Sequence, residues 1–319
     1  MLKIIDLFSG CGGLSLGFQN AGFEILAAFD NWTPAINTYQ ANFHHDAIQL
    51  DLSDEGVIEI LSAYNPEMII GGPPCQDFSS AGKRNEETQR ADLTIKFAEI
   101  VAAIKPKVFI MENVGRISVT NTLKKSKIIF QENGYGLSEV ILNASLCGVP
   151  QARKRFFLIG ILNEQDQVLE PYLYQNLSTT PLSVFEYLGH DLNIEHYYRH
   201  PRNYSRRAIF SIYEPSPTIR GVNRPIPKTY QFHANDTITD LTKVRVLTAI
   251  ERSYLQTFPK SFIFPMNNKT DLEQMIGNAV PVKLAEYVAK AVTSYLQEKE
   301  IIRRIIPNND VMSKQLSFF

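Results

Sequence analysis

Between residues 3 and 112 short apolar runs alternate with amphipathic segments, and few folds tolerate that pattern. The apolar runs at 3–8, 24–29, 47–50, 68–70 and 108–112 read as strands, and the segments at 14–21, 34–43, 54–63 and 92–104 as helices. Thr33-Pro34 is a helix start signal, a capping hydroxyl followed by a proline whose fixed φ suits the first turn. Strand and helix in strict alternation imply a parallel sheet covered on both faces. Two further strands, at 135–142 and 155–161, complete it. After residue 161 the chain turns rich in Pro, Tyr, Asn and Arg, with short strands and no long amphipathic helix. Helical periodicity returns at 248–256 and 282–296. The expected organisation is a large first domain over 1–161 and a small second domain over 162–243. A return to the first domain over 244–304 and a polar tail over 305–319 complete the chain. The 319 residues, 44% of them hydrophobic, suffice for such a core. The fold class is α/β, with a smaller, irregular, β-rich second domain.

The most informative local feature is Gly71-Gly72-Pro73-Pro74-Cys75-Gln76. Two prolines fix φ and withhold their N–H groups, so the backbone leaves the strand at 68–70 in a rigid turn. Cys75 is thereby presented at the carboxyl end of a strand, where open α/β sheets bind ligands. A small hydrophobe in a turn is the plainer reading. The other cysteines, Cys11 and Cys147, stand far away and no metal-ligand spacing links the three. Neither a disulfide framework nor a zinc site is implied, which fits a reducing cytoplasm. The chain opens directly as a strand without a signal peptide, and no apolar run approaches membrane-spanning length. A soluble cytoplasmic protein without bound metal is expected.

Asp6-Leu7-Phe8-Ser9-Gly10-Cys11-Gly12-Gly13 ends the first strand and opens a helix, as nucleotide-binding turns do. The dinucleotide fingerprint G-x-G-x-x-G fails at Ser15, leaving a mononucleoside-like cofactor. Asp30, closing the second strand, is placed to accept from ribose hydroxyls, and Asp51, after the third, from an adenine amino group. Glu112, ending an apolar strand, should be desolvated, with a raised pKa that suits proton donation. In Gln151-Ala152-Arg153-Lys154-Arg155, strand alternation sends Arg153 and Arg155 to one side. The net charge of −1 hides a basic stripe: Arg199, Arg202, Arg206, Arg207, Arg220, Arg224 and Lys228 face only Glu214. Such a stripe points to an anionic partner, and arginine suits phosphates and base edges.

These blocks occur together with Glu112-Asn113-Val114, residues 245–251 and Gly277-Asn278-Ala279-Val280-Pro281. In this order they closely resemble the cytosine-C5 DNA methyltransferases of bacterial restriction–modification systems, over nearly the whole chain except residues 162–243 and the tail. The resemblance implies a Rossmann-like sheet that uses S-adenosylmethionine and releases S-adenosylhomocysteine. It implies Cys75 as the nucleophile, Glu112 at the cytosine N3, Arg155 on the cytosine O2 and Glu112, and Arg153 supporting the adjacent backbone. Phe8, Gly10, Gly12, Asp30, Asp51, Leu93 and Asn278 would line the cofactor pocket. The family's apolar residue after the ribose ligand is Asn31 here; Trp32 either reaches back to stack on adenine or caps the following helix.

The Arg-rich segment falls where the family carries its target-recognition domain. Pro217-Thr218-Ile219-Arg220-Gly221 resembles the threonine-aliphatic element near the flipped base, which brings in Thr218. Arg206, Arg220 and Arg224 would read guanine edges, and Arg202 and Lys228 would hold phosphates. Gln76 and Ser79 belong to a polar segment resembling the loop that closes over that base. The partner implied is double-stranded DNA, with a monomer sufficient. Gln315-Leu316-Ser317-Phe318-Phe319 resembles peptides that dock bacterial sliding clamps, against an aromatic tail packed on its own domain. Two rivals remain: a tRNA cytosine-C5 methyltransferase of the same fold, and a catalytically silent nucleic-acid binder. The tRNA branch typically carries Cys-Phe-Thr in the recognition region, yet no cysteine follows Cys147.

Overall fold

A computed structural model of the chain describes residues 2–74, 92–203, 205–265 and 268–305. The alternation appears as β1 (Lys3–Leu7), α1 (Gly13–Asn20), β2 (Glu24–Asp30), α2 (Thr33–Gln40), β3 (Asp46–Gln49), α3 (Val57–Ser62), β4 (Met68–Gly71), α4 (Asp92–Ile104) and β5 (Val108–Val114). There follow α5 (Asn121–Glu132), β6 (Tyr135–Asn143), β7 (Gln151–Ala152) and β8 (Lys154–Leu162). The described residues form a seven-stranded sheet in the order β3-β2-β1-β4-β5-β8-β6. β3, β2, β1, β4 and β5 are parallel, as expected. β8 departs from the expectation, running antiparallel to both β5 and β6. Only a 3₁₀ turn and the two-residue β7 separate β6 from β8, too short a link for a parallel crossover.

Two local readings are corrected. Thr33 does not cap α2: Trp32 occupies the N-cap, and the Thr33 hydroxyl donates to Gln49 Oε1 at 3.1 Å. Helix α5 was not anticipated, because Lys124, Lys125 and Lys127 dilute its apolar stripe. Its buried face is Leu123 and Phe130 with the small Thr122 and Ser126, and Thr120 caps it by accepting from Leu123 N at 3.1 Å.

Alternate strand residues feed opposite cores. Ile4, Met68, Ile70, Val108 and Ile110 face Leu14 and Phe18 of α1. Ile5, Leu7, Ile69, Phe109 and Met111 face Phe97 of α4 and Phe130 of α5. The first face is closed by the long helix that ends the described chain. Before it come α6 (Glu170–Gln175), α7 (Val184–Leu188), β9 (His196–Tyr198), β10 (Ile209–Ser211), β11 (Ser216–Pro217), β12 (Val244–Val246), α8 (Ala249–Leu255) and α9 (Lys269–Asn278). The long helix, α10 (Val282–Ile305), meets α1 at Gly17, where a Cβ would stand 2.4 Å from Ala285 Cβ. Leu169 and Leu173 pack into the sheet's own core. A separate core joins Val184, Leu192, Tyr197, Ile212 and Ile219 to Leu247, Leu255 and Ile276. β10, β9 and β12 form a small sheet, and β11 pairs with β7. In the main sheet, β1 connects outward to β2 and β4 to β5. The connections leaving these two adjacent strands therefore run in opposite directions, and the crevice at their carboxyl ends is the natural binding position of such sheets.

Candidate active site and nucleic-acid cleft

β4 delivers the proline turn into that crevice. A Cβ on Gly71 would stand 2.5 Å from Leu7 O, so only glycine lets the strand end pass there, and one on Gly72 would press to 3.3 Å from Glu112 Oε2. Asn113 then holds the turn, its buried Nδ2 donating to Pro73 O at 3.0 Å. Cys75, Gln76 and Ser79 lie outside the described residues. Glu112 is 7% exposed, and Arg155 Nε of β8 lies 2.8 Å from its Oε1. The register sets Arg155 opposite Val114 and Phe157 opposite Glu112, so this is a diagonal contact across the antiparallel pair. Burial raises the Glu112 pKa, while Arg155 and then Arg153 pull it back. A carboxyl protonated above its usual range, held in one orientation, can donate a proton to a base placed against it.

Of the two arginines, only Arg155 pairs with Glu112. Arg153 interrupts the strand between β7 and β8 and is 1% exposed. Its Nη1 donates to Ile219 O at 2.8 Å, and its Nη2 to Gly277 O at 3.0 Å and Ala279 O at 3.2 Å. It fastens the 217–221 element to the turn after α9. The sequence reading assigned no role to Gln151, yet it completes this frame. Its Oε1 accepts from Ile219 N at 2.8 Å, and its Nε2 donates to Leu255 O and Gln256 Oε1. Its place in the Gln151–Arg155 motif was the available signal.

At the β1 end, Phe8 adopts φ 57, with Gly10 at φ 54 and Gly12 at φ 91. Left-handed backbone at a non-glycine is strain that clusters at functional sites. Gly12 admits no side chain, because a Cβ would stand 2.5 Å from the Phe43 ring. Asp30 accepts from Gly10 N at 2.8 Å and Trp32 N at 2.9 Å, and burial raises its pKa. Asp51 is held ionised by the Ser53 hydroxyl and N–H, with Asn31 Nδ2 at 3.4 Å. The Ser9 hydroxyl is buried and has no partner among the described residues. Two carboxylates at neighbouring strand ends, a glycine turn and an unsatisfied hydroxyl fit a hydroxyl-bearing nucleoside. Trp32 packs with Cys11, Ala35, Phe258 and Met275. Leu93 is half-buried at the start of α4, and Asn278 is exposed.

Ser15, the residue that breaks the dinucleotide fingerprint, has a structural partner. Its hydroxyl donates to Asp6 Oδ2 at 2.6 Å and accepts from Tyr39 OH at 2.7 Å, and the Tyr39 oxygen lies 2.7 Å from His45 Nε2. Asp6 is fully buried beneath the glycine turn, and burial pushes its pKa up to about 7.

Between the main sheet and the 199–221 region lies a cleft of about 800 Å³. Arg155 and Asn278 line it, with Arg199, Arg202, Arg206, Arg207, Thr218 and Arg220. Arg224 and Lys228 are exposed but lie outside this lining. Several of the lining groups are fixed in place. Arg199 Nη2 donates to Thr218 O at 2.8 Å, and Thr218 Oγ1 to Ala152 O at 2.9 Å. Arg207 is bound by both carboxylate oxygens of Glu214, and its guanidinium sits 4.4 Å over the Phe210 ring. Burial and then the neighbouring guanidiniums depress the Arg199 pKa. Crowded cations of this kind are relieved by a polyanion in the cleft. Among the described residues no helix is long and apolar enough to cross a membrane, and no group of three or more His, Cys, Asp or Glu is placed to hold a metal.

Comparison with known proteins agrees with this geometry. The family model "C-5 cytosine-specific DNA methylase" matches residues 2–294. Type II methyltransferase M.HindV of Haemophilus influenzae is 59% identical over 304 residues, covering 95% of this chain and 99% of that protein. Type II methyltransferase M.HgiDI of Herpetosiphon aurantiacus is 54% identical over 298 residues, covering 93% and 96%. Two solved structures share the fold. One is a putative DNA modification methyltransferase encoded within an E. coli prophage (TM-score 0.67, 24% identity, 93% of this chain and 100% of that one). The other is S. pombe Dnmt2 methyltransferase (TM-score 0.68, 16% identity, 92% and 98%).

Proposed function

Because this chain belongs to the family of C-5 cytosine-specific DNA methylases, we propose that it is a Type II, sequence-specific DNA (cytosine-5)-methyltransferase of a restriction–modification system. The observation that carries the reading is the buried Glu112–Arg155 pair beside the Asn113-held proline turn, at the edge of an arginine-lined cleft. The similarity to S. pombe Dnmt2, at 16% identity, bears on the fold alone.

Cytosine C5 is a poor nucleophile, and the residues assigned here correct that. The Cys75 thiolate adds its lone pair to C6, forming an S–C6 bond. The C5=C6 electron pair shifts toward N3, which takes the proton that Glu112 holds. C5 gains enamine character and can accept a methyl group. Loss of the C5 proton to solvent base then re-forms the C5=C6 bond as the S–C6 bond breaks to release Cys75, and N3 returns its proton to Glu112. Arg155 orients Glu112 and contacts the cytosine O2. S-adenosylmethionine, when bound, supplies an electrophilic methyl group carried on a sulfonium. Asp30 and Asp51 suit its ribose and adenine, with Phe8, Gly10, Gly12, Trp32, Leu93 and Asn278 completing the pocket. The target cytosine is flipped from the duplex at a cost of about a few kcal/mol.

In this reading residues 162–243 are the recognition domain. Arg206, Arg220 and Arg224 read base edges beside Thr218, and Arg202 and Lys228 hold phosphates. One such segment per active site makes a cytoplasmic monomer sufficient. The candidate clamp-docking peptide, residues 315–319, lies outside the described residues. Bisulfite sequencing of a methylation-deficient host expressing the chain, beside a Cys75→Ala control, tests the proposal. A single short motif methylated only with Cys75 intact is expected; folded, soluble protein that methylates no motif would overturn it.

A further inference from the structure

Arg252 and Glu273 form a buried ion pair that the reaction does not use. Arg252 of α8 is 5% exposed and Glu273 of α9 is 3% exposed. Neither belongs to the Glu112 pocket or to the glycine turn. A buried ion pair is weak evidence for stability, since desolvation offsets most of its attraction; fixing one geometry is its better-attested use.

What this pair fixes is the main chain of the cleft wall. Arg252 Nη2 donates to Arg220 O, while its Nη1 side meets Glu273. Glu273 Oε1 accepts from Asn223 Nδ2 at 2.9 Å, and the same amide donates to Leu247 O at 2.9 Å. From the other side α9 presents Gly277, where a Cβ would stand 2.2 Å from Gly221 N and 2.3 Å from Arg220 C. The Arg220–Gly221 peptide is thus seated against α9 and held from α8. The Arg220 side chain lines the cleft with one nitrogen committed, Nη2 to His200 O, while Nε has no hydrogen-bond partner among the described residues. An arginine anchored at its main chain and at one nitrogen still has donors to offer, in a planar fork of known orientation.

We propose that Arg252 is a positioning residue for sequence discrimination: held by Glu273, it sets the Arg220 peptide so that the Arg220 guanidinium meets one base edge at a fixed depth. The proposal rests on the assignment of Arg220 as a DNA-reading residue. An arginine free to shift by an ångström would bind phosphate or any acceptor; a seated one rewards only the base whose acceptors match.

The test compares Arg252→Lys and Arg220→Gln with the parent enzyme, once the methylated motif is known. Lysine keeps a cation for Glu273 but replaces the planar two-nitrogen fork with a single nitrogen of rotatable donors, so the Arg220 carbonyl loses its fixed donor. The measurements are kcat/KM on duplexes carrying the cognate site and each single-base variant, DNA Kd, and Tm. For Arg252→Lys we expect a Tm near the parent value. Its cognate-to-variant ratio should fall about tenfold at the positions that Arg220→Gln relaxes. Should the lysine variant fold poorly, Arg252→Met/Glu273→Met removes both charges together and serves the same comparison. Relaxation by Arg220→Gln without relaxation by Arg252→Lys overturns the positioning role and leaves the Arg220 assignment standing. A uniform loss of rate on all sites in Arg252→Lys overturns it as well, marking a purely structural pair. If Arg220→Gln leaves every ratio unchanged, the Arg220 assignment fails and the inference falls with it.

Discussion

Replacing Asp6 with asparagine should flatten the dependence of stability on pH. Asp6 is fully buried, and its pKa rises from 3.8 to about 7, because desolvation outweighs the hydrogen bond from Ser15. The folded state therefore holds a proton that the unfolded chain has already released, and stability falls as pH rises between those values. Below about pH 3.8 there is no penalty, since both states are protonated. Above about pH 7 the penalty is complete. Each unit corresponds to about 1.4 kcal/mol, so a gap of about three units amounts to about 4 kcal/mol. About 2 kcal/mol of that accumulates between pH 5.5 and 8.5. An asparagine carbonyl still accepts from Ser15 and does not ionise. Its amide lacks a partner at the Asp6 Oδ1 position, a cost that does not vary with pH. Glu112 and Asp30, whose pKa values burial also raises, are present in both proteins and cancel. Urea unfolding of the parent and Asp6→Asn at pH 5.5, 7.0 and 8.5 reads the difference directly. The variant should gain about 2 kcal/mol on the parent across that range. A difference constant with pH would refute the reasoning, because Asp6 would then ionise alike in both states.

Further consequences follow from the same contacts. Glu112→Gln removes the proton held for N3 and should lower kcat by about 10²–10⁴-fold while DNA binding persists, as single-turnover rates and gel shifts would report. In the parent enzyme the rate should fall as pH rises through the elevated Glu112 pKa, since the donor is lost there. Gly277→Ala places a methyl group 2.2 Å from Gly221 N and should cost about 1–3 kcal/mol in thermal unfolding; an unchanged Tm would mean the 220–221 peptide is not seated on α9. Arg202→Gln, which removes a phosphate-holding charge from the cleft, should shallow the slope of log K against log salt by about 0.9, whereas Arg153→Gln, whose guanidinium is spent on three carbonyls, should leave that slope unchanged in folded protein.

Much of the catalytic half was legible because its signals are local. Period-two and period-3.6 apolar patterns placed five parallel strands, and Pro73-Pro74 with Gly71-Gly72 marked where β4 must end and turn. Glu112 could be assigned from the apolar strand that carries it. Where the local signal was diluted, as by the lysines of α5, the reading missed the element. Where the hydrogen-bond partner decides, as in the reversed β8, periodicity gave no direction.

By itself the sequence determined the parallel half of the sheet, the proline turn that leaves β4 and the family to which the chain belongs. Tertiary structure alone decided which basic residues share the cleft, that Arg153 and Gln151 fasten the 217–221 element, and that Arg252 reaches Arg220. These contacts join residues 66 positions apart for Arg153 to Ile219, 126 for Arg153 to Ala279 and 32 for Arg252 to Arg220. A donor's choice of carbonyl across such distances depends on how the chain's cores pack, and no local period or turn preference records it.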